Sequence, residues 1–257
     1  MKHVFGLPIS QVSMDDLCDR LAVLAELRES PSTVCLVNSQ SLVEAHRDPG
    51  HMASLLDADL CLPDGWPIAA LARTRRIAGA DLMLAAARHP TIKRMRHTLY
   101  GGFGVAFDAA VRQWKEAGSP PTILAPWVPT VDATGYADPQ KEMNARWSLM
   151  IEFLVYSDEK NIAAINATQP DFLWVALGCP KQEAWMVKYK SQFNAKVIIG
   201  VGAAFNFLAG RVQRAPVWMQ RVGLEGVYRI KTERSRWRRP VGAGIGLIQL
   251  LLGFRPR

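Results

Sequence analysis

The segment Pro63-Asp64-Gly65 sets a carboxylate directly after the short apolar run LCL. A carboxylate on a rigid strand end, beside a glycine that lets a ligand approach the backbone, suits general-base work. The plain alternative is an Asp-Gly turn with no further duty. Asn38, Ser39 and Gln40 follow a second apolar run, TVCLV, and bring amide and hydroxyl groups that can hold ligand hydroxyls or cap the next helix. Gly101 and Gly102, after Tyr100, allow backbone amides and a helix N-terminus to face a phosphate. Lys181, Gln182 and Glu183 open a helix after Pro180, where the dipole favours anions. Gln182 is expected to point into the same ligand crevice, although a capping-box-like start reads the same way. Asn206, after Phe205, offers hydrogen bonds but cannot accept as an anion.

Other patterns carry less. Asp57-Ala58-Asp59 spells the D-x-D of metal-dependent transferases, but it precedes its strand and so falls at the end away from a crevice. Gly102-Phe-Gly104 and Gly200-Val-Gly202 both lack the third glycine of a dinucleotide fingerprint, which makes a nicotinamide enzyme a poor second reading. The cysteines, Cys18, Cys35, Cys61 and Cys179, form no C-x-x-C pair and have no histidine at ligand spacing. The five histidines are scattered. No metal ligand set is read from these spacings.

The elements that must hold these residues follow from periodicity. Ser13 with Asp15 and Asp16 starts a helix, and Leu17, Leu21, Leu24 and Leu27 continue it to about Ser30. Strands are expected at Thr33–Val37, Leu60–Leu62, Thr98–Tyr100, Thr122–Leu124, Phe172–Leu177 and Lys196–Val201, with helical segments such as Ser41–Arg47 between them. That alternation predicts an α/β fold, a Rossmann-like, mainly parallel sheet with helices on both faces. Ligands of such sheets bind outside the carboxyl ends of the strands, where the residues above fall. Ser119–Pro139, with five prolines, reads as a long surface excursion.

Charge divides the chain. Among 257 residues the formal net charge is +8, yet residues 1–210 hold 20 basic and 21 acidic side chains and residues 211–257 hold 11 and 2. Two units are expected: an α/β catalytic domain over 1–210 and a basic helical appendage over 211–257. Trp218 and Trp237 interleave with its arginines, which suits an anionic membrane surface, whereas no nucleic-acid-binding motif is present. The apolar stretch Val241–Phe254 is too short to cross a bilayer but can lie in its interface. It could equally meet another subunit, so a homo-oligomer is a second expectation for this surface. The N-terminus breaks at Gly6 and Pro8 before any signal-peptide core forms, which with the cysteine usage points to the cytoplasm.

At its strand ends the chain resembles the WecG/TagA/CpsF glycosyltransferases, glycosyltransferase family 26. The stretches that carry the resemblance are NSQSLVEAHRDP, ADLCLPDGWPIAALAR, RRIAGADLM, LYGG, PDFLWVALGCPKQEAWM and GVGAAFNFLAGRVQRAPVWMQRVGLEGVYRI, in that order. The resemblance implies a peripheral enzyme of the inner membrane face in bacterial surface-polysaccharide synthesis. It would move a hexose with inversion from a UDP-sugar to an undecaprenyl-diphosphate-linked acceptor. On it Asp64 is the base, Asn38, Gln40, Gly101, Gly102, Gln182 and Asn206 contact donor sugar or nucleotide, and Arg76 takes the diphosphate or the sugar. It also implies that Arg229 and Arg236 close over the diphosphate, that UDP is stabilised by cationic side chains, and that neither cofactor nor metal is needed. The chain departs from the family pattern at Leu36, Asn206, Gly226 and Arg234, and 126–165 match it poorly. These departures leave the donor open among N-acetylmannosamine, glucose and glucuronic acid. They also keep a catalytically silent lipid-carrier-binding protein as the alternative.

Overall fold

Strands buried on both faces read as short, largely apolar runs rich in β-branched residues, and STVCLV at Ser32–Val37 is one: all six residues are buried. The computed structural model describes residues 1–27, 29–101, 105–117, 158–210, 215–216, 218–219, 228, 238–254 and 256. Its strands are β1 (Lys2–Val4), β2 (Leu7–Ile9), β3 (Ser32–Val37), β4 (Leu60–Pro63), β5 (His97–Gly101), β6 (Phe172–Ala176) and β7 (Val197–Gly200). They form one sheet in the order β1-β2-β4-β3-β7-β6-β5. Only β1 and β2 pair antiparallel; every other neighbouring pair is parallel.

The mainly parallel α/β expectation holds, and five expected strands stand within a residue or two of their predicted limits. The sixth, Thr122–Leu124, lies outside the described residues, as does the proline-rich excursion. The β1–β2 hairpin is an addition that the sequence reading lacked. Its strands are three residues long and contain Pro8, which argues against a strand, while Phe5 and Gly6 turn the chain with φ of 47° and 87°.

The described helices are α1 (Met14–Leu27), α2 (Ser39–Arg47), α3 (Pro49–Leu56), α4 (Trp66–Ala72), α5 (Gly79–Arg88), α6 (Val105–Glu116), α7 (Asp158–Ala167), α8 (Lys181–Tyr189), α9 (Ala204–Leu208) and α10 (Arg238–Leu251). Ser13 starts α1 as expected, its hydroxyl accepting from the Asp16 amide at 3.2 Å. One core cluster joins α1, α5, α6 and α9 to one face of the sheet, and a second joins α2, α3, α4, α7, α8 and α10 to the other. The chain therefore leaves β3 towards one face and leaves its neighbour β7 towards the opposite face. Divergence of adjacent connections opens a crevice at the carboxyl ends of β3 and β7.

The appendage is not wholly separate from the body. Helix α10 packs on α2, burying Leu247 and Leu250, and a Cβ built at Gly246 would fall 2.6 Å from Val43 Cγ1. No helix among the described residues is long and apolar enough to cross a membrane.

Candidate active site

Strand register brings the first candidates together. Val37 pairs with Pro63, so Asn38 and Asp64 leave neighbouring strands side by side. The Asp64 amide donates to the Val37 carbonyl at 2.8 Å, fixing the start of the turn. Gly65 takes φ of 103°, a conformation that glycine adopts without strain, and a Cβ there would lie 3.9 Å from Asn38 Cβ. Asp64 is half-buried and directly follows the last residue of β4.

The segment after α4 returns to the same edge. The Ile77 amide donates to the Pro63 carbonyl at 2.9 Å, which sets the half-buried Arg76 next to the Asp64 turn. Arg73 and Arg75 are exposed. Gly79, three residues after Arg76, is wedged where a Cβ would stand 3.0 Å from both Leu36 Cδ1 and the Val201 carbonyl oxygen. Residues 76–79 thus run across the ends of β4, β3 and β7. A cation and a carboxylate at adjacent strand ends can hold an anionic leaving group and accept a proton from a nucleophile.

Asn38 caps α2: its side-chain oxygen accepts from the Ser41 amide at 3.0 Å. Its amide NH2 makes no hydrogen bond among the described residues and is available to a ligand. Gln40 is half-buried in the first turn of the same helix. Asn206 is half-buried within α9, beyond the end of β7.

Two candidates have other work. Gln182 does not face the crevice: it is 3% exposed, its Nε2 donates to Glu183 Oε1 at 2.8 Å and its Oε1 accepts from the Gly202 amide at 3.0 Å. Its amide fits beside Gly200, where a Cβ would stand 3.1 Å from Gln182 Nε2. Gln182 ties α8 to the end of β7, so it positions the crevice wall, and the expected side-chain contact with ligand gives way to that role. Gly101 ends β5 with φ of 88°, and a Cβ there would strike the Ala176 carbonyl at 2.7 Å. Close approach of β6 accounts for that glycine without a ligand. Gly102, Arg229 and Arg236 lie outside the described residues.

The D-x-D segment stands at the opposite end of the sheet, as expected. Asp59 accepts from the Thr33 amide at 2.9 Å and from Lys190 Nζ at 2.8 Å, which is structural use. A feature that sequence spacing missed is the group of His51, Cys179 and Glu183 under the β6–α8 turn, its histidine and carboxylate buried. Its members come from α3, the turn and α8, so no local motif could have signalled it. Burial raises the Glu183 carboxyl above its usual range and lowers the His51 imidazole.

The chain is similar to curated relatives that share this reach of sequence. It is 29% identical over 213 residues, 80% of this chain and 73% of the relative, to N-acetylglucosaminyldiphosphoundecaprenol N-acetyl-beta-D-mannosaminyltransferase of Bacillus spizizenii. It is 27% identical to the protein of the same name from Bacillus subtilis, over 81% of this chain and 74% of the relative. A shorter match, 32% over 105 residues and 41% of each chain, is to the Staphylococcus aureus protein of that name. Residues 2–255, nearly the whole chain, match the Glycosyl transferase WecG/TagA/CpsF family, and this protein is a glycosyltransferase that belongs to it.

Proposed function

We propose that this enzyme transfers a hexose of the N-acetylmannosamine type from a UDP-sugar to a sugar carried on undecaprenyl diphosphate, with inversion at the anomeric carbon. The relatives carry that sugar and that acceptor in their names. What supports the reading in this chain is the Asp64 turn, with Asn38 on one side and Arg76 on the other, at the crevice edge of a doubly covered sheet. The Asp64 carboxylate takes the proton of the acceptor hydroxyl as that oxygen attacks the anomeric carbon. The bond from that carbon to the diphosphate oxygen breaks, and UDP leaves on the opposite face. Arg76 meets the diphosphate, and the Asn38 NH2 donates to a donor hydroxyl or carbonyl. Side-chain cations, with Arg229 and Arg236 as the candidates from the basic segment, rather than a metal ion neutralise the leaving group.

The same reading puts the enzyme on an anionic membrane surface, where its lipid-linked acceptor resides. Helix α10 buries Leu247 and Leu250 on α2 while Ile245, Ile248, Leu251, Leu252 and Phe254 are each more than half exposed. Such a two-faced helix beside a basic segment suits a headgroup interface.

The test is a panel of UDP-sugars incubated with a lipid-linked N-acetylglucosamine diphosphate, with release of UDP and transfer to lipid both measured. Transfer from UDP-N-acetylmannosamine, above UDP-glucose and UDP-glucuronic acid, is expected. No transfer from any donor, with lipid binding retained, would favour a catalytically silent carrier-binding protein.

A further inference from the structure

Three groups of metal-ligating type converge under the β6–α8 turn, His51 from an element 128 residues away from Cys179. His51 lies on α3, Cys179 in the turn and Glu183 in the first turn of α8. One ligand atom from each lies within 4.8 Å of the other two, and among the described residues no other such group is found. The His51 Nε2 to Cys179 Sγ separation is 3.6 Å. A tetrahedral zinc site with Zn–S of about 2.3 Å and Zn–N of about 2.0–2.1 Å has an N···S edge of about 3.6 Å. The carboxylate completes three ligands with a short side-chain adjustment. The Ser41 hydroxyl, 3.4 Å from the same His51 nitrogen, stands where it can hold a water in the fourth position.

The polar bookkeeping of the site is incomplete without an occupant. Glu183 is wholly buried; one of its oxygens accepts from Gln182, but Oε2 has no hydrogen-bond partner. An isolated carboxylate oxygen in such a place costs several kcal/mol unless it is protonated or meets a cation. His51, 2% exposed, is buried beside it. Cys179 is partly exposed.

We propose that His51 Nε2, Cys179 Sγ and the Glu183 carboxylate bind one divalent cation of the zinc class, which clamps α3, α8 and the β6–α8 turn together. On binding, the thiol proton and any proton on the carboxyl pass to solvent, so that a thiolate, a carboxylate and a neutral imidazole balance the double charge. The cation lies behind the crevice wall and enters no step of sugar transfer. The inference rests on the cluster alone and stands or falls apart from the transferase reading.

The experiment is a cobalt(II) titration of the full chain, freed of any affinity tag, read by absorption. One equivalent should give a thiolate-to-cobalt charge-transfer band together with visible bands of four-coordinate cobalt, and zinc(II) should abolish both. Cys179→Ala, at a partly exposed position, should lose the charge-transfer band. His51→Gln should weaken cobalt binding at least about tenfold. Zinc should raise the melting temperature of the wild type and leave that of Cys179→Ala unmoved. Absence of a charge-transfer band with cobalt in excess would overturn the proposal. A band that persists in Cys179→Ala, or an equal zinc effect on both melting temperatures, would overturn it too.

Discussion

Asn38 meets two demands with one side chain, and its two ends can be tested apart. Its oxygen caps α2 through the Ser41 amide, while its NH2 makes no hydrogen bond among the described residues. Asn38→Ala should cost about 1 kcal/mol of stability as well as activity. Asn38→Asp keeps the cap but removes the donor, so it should melt like the wild type while its donor KM rises at least about tenfold. Equal kinetics in Asn38→Asp and the wild type would reduce Asn38 to a cap. Asn38 and Asp64 were legible in the sequence because each directly follows an apolar run whose end marks the ligand side. Gln182 shows the limit of the same rule: position after a strand says where a residue stands, not which way it points. Its amide turns inward because the glycines at 200 and 202 leave room for it and the Gly202 amide needs an acceptor.

At the scale of elements, glycines report where strands and helices approach too closely for a side chain. Gly101 marks the contact of β5 with β6 and carries a positive φ as well. Gly101→Ala should lower unfolding free energy by at least about 2 kcal/mol, since both the backbone conformation and the Ala176 carbonyl oppose the methyl group. Chemical denaturation checks this, and a loss below about half a kcal/mol would refute the close-approach account. The parallel strands were readable because burial on both faces demands continuous β-branched and aromatic runs, FLWVA and VIIG among them. The hairpin of β1 and β2 was not, since three residues interrupted by Gly6 and Pro8 show no period. The His51–Cys179–Glu183 cluster was invisible for a different reason: 128 residues separate its histidine and cysteine, and only sheet topology joins them.

For the molecule as a whole, acid stability and membrane attachment follow from two remote parts. His97 is fully buried among Trp114, Phe172 and Trp174, donates from Nε2 to the Ile92 carbonyl at 2.8 Å and accepts at Nδ1 from the Trp174 indole at 3.2 Å. Burial lowers its pKa from 6.5 to about 4, and a proton on Nδ1 would also oppose the indole N–H. Between those values the unfolded chain binds the proton and the folded chain does not, so stability falls as pH drops through that window. This group should make unfolding about 2 kcal/mol easier at pH 5 than at pH 7. His97→Gln, which can keep both hydrogen bonds, should remove that share of the slope, and an unaltered slope would contradict the assignment.

The charge division seen in the sequence acquires a shape from α10, which is docked on α2 by one face and apolar on the other. Deleting the helix would strip Leu247 and Leu250 from the core, so exposed positions make the cleaner test. Replacing Ile245, Ile248, Leu252 and Phe254 together by serine should release the protein from anionic liposomes in a flotation assay with the fold intact. Full retention would exclude this face as the anchor, and a change in oligomeric state instead would assign it to a second copy of the chain.

Sugar transfer itself depends most directly on Asp64. Asp64→Asn keeps the size and hydrogen-bonding reach of the side chain but cannot take the acceptor's proton. Rates of UDP release by the variant and the wild type, with donor and lipid-linked acceptor both present, should differ by about 10²–10⁴-fold at unchanged melting temperature. Release by Asp64→Asn at the wild-type rate would contradict the assignment of the base.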